Sequence, residues 1–155
     1  MRPRQIHVLH RPASKKAEAP ALVFVHGGYM DSRCWDIHFL PHFSALGHDC
    51  HALDLSGHGL SDGKDAPDEF GIDEFADDLR QLIAGLPDDA VLIGHSMGCA
   101  VIERVLERTA TRAAILMAPV PPTGTQGSIM RLALKHPELF TEIVRISQGK
   151  LGPNS

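Results

Sequence analysis

The chain has 155 residues and a net charge of −4, with 15 lysines and arginines against 19 aspartates and glutamates. That length carries one domain with a real core, not two. The acidic balance excludes an electrostatic grip on nucleic acid. No apolar run reaches the length of a membrane span, and residues 1–10 lack the apolar centre of a signal peptide. A cytoplasmic location is therefore expected, with no nucleic-acid partner and no membrane span.

In chain order, Arg2, Arg4, Arg11, Lys15 and Lys16 read as a solvated opening segment. Residues 6–10 alternate weakly, as an edge strand does, and residues 12–20 read as a loop. Residues 21–25 are an unbroken apolar run, the mark of a strand covered on both faces, and they end at His26-Gly27-Gly28. A turn over 31–35 leads into a helix that stops at Gly47. Residues 50–55 form the next strand, followed by a loop from Ser56 to about Asp68. Ile72, Phe75, Ala76, Leu79, Leu82 and Ile83 recur at helical spacing, and Gly85 and Pro87 end that helix. Residues 113–117 are a further apolar strand, closed by Pro119. Strands alternating with helices predict a three-layer α/β sandwich with a mostly parallel sheet. Beyond Pro119, past the Val120-Pro121-Pro122 loop, residues 129–146 read as two amphipathic helices broken at Pro137.

The chain is organised around Val91-Leu92-Ile93-Gly94-His95-Ser96-Met97-Gly98-Cys99. An apolar strand runs into Gly-x-Ser-x-Gly and then a helix, the context of a nucleophile elbow. Glycine is needed at 94 and 98 because neighbouring backbones come close, and the serine between them takes unfavourable backbone angles. The N-terminus of the following helix faces a developing negative charge. Cys99 reads as a small residue in a crowded helix start. Cys34, Cys50 and Cys99 form no Cys-x-x-Cys, and their odd number argues against a disulfide framework.

Three motifs in order are His26-Gly27-Gly28, then Asp54-Leu55-Ser56-Gly57-His58-Gly59-Leu60-Ser61, then Gly94-His95-Ser96-Met97-Gly98. Together they resemble the α/β-hydrolase fold family, most closely its esterase and lysophospholipase-like branches. The resemblance implies an enzyme that cleaves carboxylic esters or thioesters through an acyl-enzyme on Ser96. It implies an oxyanion hole from the backbone N–H groups of Met97 and Gly28, with Tyr29 as the second choice for the latter. The Gly57-His58-Gly59 loop is expected to be structural. No cofactor and no metal are expected. His38 and His42 have a metal-like spacing, but Pro41 lies between them and no third ligand is evident.

In this family the acid and the histidine follow the nucleophile in the chain. After Met97 there is no aspartate, and the one histidine is His136, paired in sequence with Glu138. Glu103 and Glu107 are expected to point away from Ser96. His26 and His58 are expected to pack in turns, and His48 and His51 to be solvated or to cap a strand. The chain thus reads as the N-terminal part of such a hydrolase: residues 1–120 as core and 121–155 as the start of lid helices, stopping before the last strands. The strand at 113–117 is then an exposed apolar edge, expected to pair with a second copy or a complementary C-terminal chain. A non-catalytic binding module, half of a split hydrolase, and a peroxidase or acyltransferase use of the same serine are the alternative readings.

Overall fold

The computed structural model describes residues 4–15, 18–66, 69–86, 90–121 and 123–147. Arg2, Lys16, Asp68, Pro87 and Pro122, which the sequence reading assigned to loops, a helix end and a charged segment, lie outside the described residues. Among the described residues, five strands build one sheet: β1 (Val8–Arg11), β2 (Leu22–Val25), β3 (Cys50–Leu53), β4 (Val91–His95) and β5 (Ala113–Met117). Their order is β1-β3-β2-β4-β5. β1 runs antiparallel to β3, and the other pairs are parallel. Parallel neighbours require crossovers. These are α1 (Arg33–Asp36) and α2 (Phe39–Leu46), then α3 (Ile72–Ile83), then α4 (Met97–Leu106).

The layering follows from the two-residue period of a strand. All four residues of β2 are buried. Val23 and Val25 face a core shared with Leu79 of α3 and Ile102 of α4. Leu22 and Phe24 face the opposite core, with Trp35 and Leu40 from α1 and α2. Phe24 and Trp35 have ring centroids 5.2 Å apart. A sheet covered on both faces is the expected three-layer sandwich. α2 ends where Gly47 adopts φ 100°, a left-handed stop that a residue with Cβ adopts only at a cost.

Two details differ from the sequence reading. β4 does not stop before Gly94. It continues through His95, because Gly94 pairs with Val25 on one side and Leu116 on the other. Arg4 is not a freely solvated cation either. It lies over the Phe70 ring, 5.5 Å from its centroid, and its guanidinium sits 3.3 Å from Asp78. The reason is Asp78, a carboxylate buried on the apolar face of α3. It accepts the Ser56 N–H at 2.8 Å and the Ser56 hydroxyl at 3.0 Å. A buried charge is tolerated only when it is paired and hydrogen-bonded.

β5 closes the list of strands at the sheet edge. Ile115 and Leu116 are 50% and 37% exposed, whereas β2 and β3 are buried throughout. The chain divides into two compact units, Met1–Pro119 and Val120–Ser155. The second contains α5 (Gln126–Lys135) and α6 (Pro137–Ser147). The His136 N–H donates to the Leu132 carbonyl, closing α5, and Pro137 opens α6, where a missing N–H costs nothing. Among the described residues, no helix is long and apolar enough to cross a membrane.

Candidate active site

Ser96 stands between β4 and α4 with φ 52° and ψ −115°. A non-glycine residue there stores on the order of 1–3 kcal/mol of strain, held only because the surroundings over-determine it. Those surroundings are visible. A Cβ on Gly98 would run into the carbonyl groups of Val25 and His26. One on Gly94 would meet the Gly98 backbone and Ile102 at 2.8 Å. The two glycines flanking the serine therefore let the head of α4 seat directly on the end of β2. The Ser96 N–H donates to the Met117 carbonyl at 3.0 Å, and the Cys99 N–H to the Ser96 carbonyl at 3.0 Å. The Cys99 thiol is 3.3 Å from the carbonyls of both Gly94 and Met117. β5 and the first turn of α4 thus clamp the serine from two sides.

The His26-Gly27-Gly28 turn lies against this elbow. A Cβ on Gly27 would come within 3.1 Å of the His95 ring and 3.2 Å of the Ser96 Cβ, so a side chain at position 27 fits only if the elbow gives way by a few tenths of an ångström. At Gly28 an added Cβ meets nothing within 4 Å. Close packing therefore explains the first glycine of the pair and not the second. Tyr29 has φ 61° and is exposed. Met97 is the first residue of α4, so its N–H has no partner one turn back. That N–H is available to an anion at the head of the helix.

Among the described residues, no histidine or carboxylate is bonded to the Ser96 hydroxyl. His26 is committed elsewhere. The Leu55 N–H donates to its Nε2 at 3.1 Å, so Nε2 carries no proton and Nδ1–H donates to the Gly27 carbonyl at 2.8 Å. Burial holds this imidazole below its ordinary 6.5, which keeps it neutral. His58 donates from Nδ1 to the Ser56 carbonyl at 3.0 Å and packs 4.9 Å from the His26 ring. Both are structural, as their turn positions suggested. His48 donates to the Pro20 carbonyl at 2.9 Å. His51, expected to be solvated or capping, is instead buried in β3. Its Nε2 is 2.9 Å from Asp49, which gives the ring a polar partner. Glu103 is exposed, and Glu107 pairs with Arg104. His136 lies 3.7 Å from Glu138, both exposed, in the second unit.

Asp54, given no role by the sequence reading, holds the loop after β3. It is buried. It accepts the Ser32 N–H at 2.7 Å, the Leu60 N–H at 2.8 Å and His7 Nδ1 at 2.9 Å. Burial alone pushes its carboxyl up, but the bonds from Leu60 and Ser32 outweigh burial and bring it below 3.8. Gly59, at φ 51°, has no room for a Cβ against this carboxylate. The loop glycine is therefore structural.

A cavity of about 170 Å³ is lined by Met30, Cys34, Trp35, Phe39, His95 and Met117. Two of its walls, His95 and Met117, adjoin or bind Ser96. Larger cavities, of about 290 Å³ beside Arg80 and Thr111 and about 440 Å³ beside Asp54, include no elbow residue in their walls.

A strained serine on a strand-to-helix turn, at the carboxyl end of a parallel sheet, defines a class of fold. Residues 22–151 match the Alpha/beta hydrolase family, and the chain belongs to that family. It is similar to Methylesterase 3 of Arabidopsis thaliana, 29% identical over 104 residues, covering 66% of this chain and 39% of that protein. It is 32% identical over 101 residues to Epoxide hydrolase 1 of Caenorhabditis elegans, covering 64% of this chain and 24% of the other. A solved thioesterase domain from the curacin biosynthetic pathway superposes with a TM-score of 0.67 at 24% identity, over 94% of this chain and 50% of that one. That last likeness is one of fold. The chain spans half or less of the length of each.

Proposed function

We propose that this chain carries the nucleophile of a serine hydrolase that cleaves carboxylic esters or thioesters. The acid and histidine of the triad would come from outside these 155 residues. The observation that supports it is the Ser96 backbone, at φ 52° at the head of α4, with the Met97 N–H free to donate. In this reading Ser96 Oγ attacks the acyl carbonyl. Its proton passes to a base, and the oxyanion is held by the N–H groups of Met97 and Gly28. The tetrahedral species then expels the alcohol or thiol and leaves an acyl-serine. The cavity beside His95 takes the acyl chain. Residues 121–155 would begin a lid.

Without a base, both attack and deacylation are slow, since triad members act as a unit. Deacylation also lacks the activated water. An acyl-Ser96 formed from an activated ester should therefore accumulate. Incubation with p-nitrophenyl butyrate and intact-mass analysis should show one butyryl adduct, absent in Ser96→Ala. An unmodified mass for the folded wild-type chain would favour the rival reading, a binding module on the same scaffold, for which the lack of a base at Ser96 speaks.

We infer further that the β5 edge pairs with a second copy or a complementary chain. Its apolar exposure and unpaired backbone groups support this. Sizing with light scattering should show concentration-dependent association that Ile115→Lys reduces. A wild-type chain that stays monomeric at high concentration counts against the inference.

A further inference from the structure

Away from the elbow, β1 and β3 bring together three donors that the proposed hydrolase chemistry does not use. His10 and His51 are direct partners in the antiparallel register. Their rings stack, with centroids 4.4 Å apart and planes inclined by 8°. Each Nε2 points at Asp49, His10 at 2.8 Å from one carboxylate oxygen and His51 at 2.9 Å from the other. One donor atom from each residue lies within 4.8 Å of the other two.

We propose that His10, Asp49 and His51 bind a divalent transition-metal ion of the zinc class, which staples the edge strand β1 to β3. Two imidazoles and one carboxylate suit zinc, nickel or copper and disfavour magnesium and calcium, which take oxygen ligands. Zinc holds such ligands at roughly 2.0–2.1 Å, so the three donors must shift from their present hydrogen-bonded spacing to admit the ion. His10, on the outer strand and with a side chain 48% exposed, has the freedom to do so. His51, 10% exposed, supplies a fixed anchor. Each ring now donates from Nε2 to Asp49. Metal binding moves that proton to Nδ1 and gives the Nε2 lone pair to the ion, with no oxidant or reductant needed. The neighbouring cation, Arg11, points to the other face of β1 and pairs with Asp36 at 2.9 Å. Asp49 is half exposed, which leaves water access to complete the shell.

The test is zinc titration of the tag-free chain by calorimetry, with thermal unfolding alongside. One zinc per chain is expected, with a higher midpoint in zinc and no rise in magnesium. His10→Gln removes an exposed ligand without disturbing the core and should weaken binding at least ~10-fold. Asp49→Asn should do the same, and His38→Gln should leave the affinity unchanged. No zinc binding to the wild-type chain, or affinity that survives His10→Gln, overturns the proposal.

Discussion

Replacing Asp54 by alanine should cost about 2–6 kcal/mol of folding stability if both N–H groups it binds stay buried, a large share of the margin of a small domain. The carboxylate is buried and joins three parts of the chain: Ser32 before α1, Leu60 in the loop after β3, and His7 before β1. Alanine would leave two backbone N–H groups without an acceptor, at about 1–3 kcal/mol each where they stay buried. It would also release the loop that carries His58, whose ring packs on His26. Urea unfolding measures this directly, and a loss below about 1 kcal/mol would remove Asp54 from its place in the account.

The same variant carries a pH signature. The Asp54 carboxyl titrates below 3.8 in the folded chain. Its stabilisation is therefore fully present above that value and is lost as pH falls toward the folded pKa. His26 acts at a higher pH. Its imidazole is held below 6.5 in the fold, so the unfolded chain takes up a proton first and stability declines as pH drops through 6.5. Asp54→Ala should flatten the limb below about pH 4 and leave the limb near pH 6.5 in place.

The second large effect is at Gly98. An alanine methyl there would collide with the Val25 and His26 carbonyls, the latter at 2.7 Å. These are backbone atoms in the centre of the sheet and cannot swing aside. Overpacking of this kind costs about 3 kcal/mol, and the relief would come from lifting α4, which carries Ser96 with it. Gly98→Ala should therefore lose both stability and the butyryl adduct. Gly28→Ala is the contrast. Nothing lies within 4 Å of the added methyl, and the N–H assigned to the oxyanion is retained. It should unfold within about 0.5 kcal/mol of the wild type and still acylate. Denaturant melts of the two variants, read with the adduct yield, separate a packing glycine from a permissive one.

The parallel sheet was legible because its central strands are buried on both faces. Residues 21–25 and 90–93 are short uninterrupted apolar runs bounded by turn signals, as such strands read. The elbow was legible because its serine and both glycines fall within five consecutive positions, although the contacts that require Gly98 come from Val25 and His26 on another strand. What escaped was long-range. Nothing near Arg4 in sequence reveals that Asp78, buried on α3, needs its charge. Asp54 reads as one more acid at the end of a strand until Ser32 and His7 are seen to converge on it. The His10–Asp49–His51 cluster depends on β1 pairing with β3 in one register, since a slip by a single residue sends His10 to the other face. Gly28, assigned an oxyanion N–H from the sequence, is held as glycine by no close contact, since an added Cβ meets nothing within 4 Å.

The central claim is that Ser96 is a positioned nucleophile without a base in its own surroundings. The most direct measurement is the rate of fluorophosphonate labelling against pH, by intact mass, with Ser96→Ala alongside. Labelling is expected to be slow and confined to Ser96, rising with pH through neutrality without levelling off, because no histidine among the described residues is bonded to the hydroxyl. Labelling that survives Ser96→Ala would contradict the assignment of the nucleophile. Fast labelling that levels off above about pH 6.5, the ordinary pKa of histidine, would show that a histidine of this chain already serves as the base.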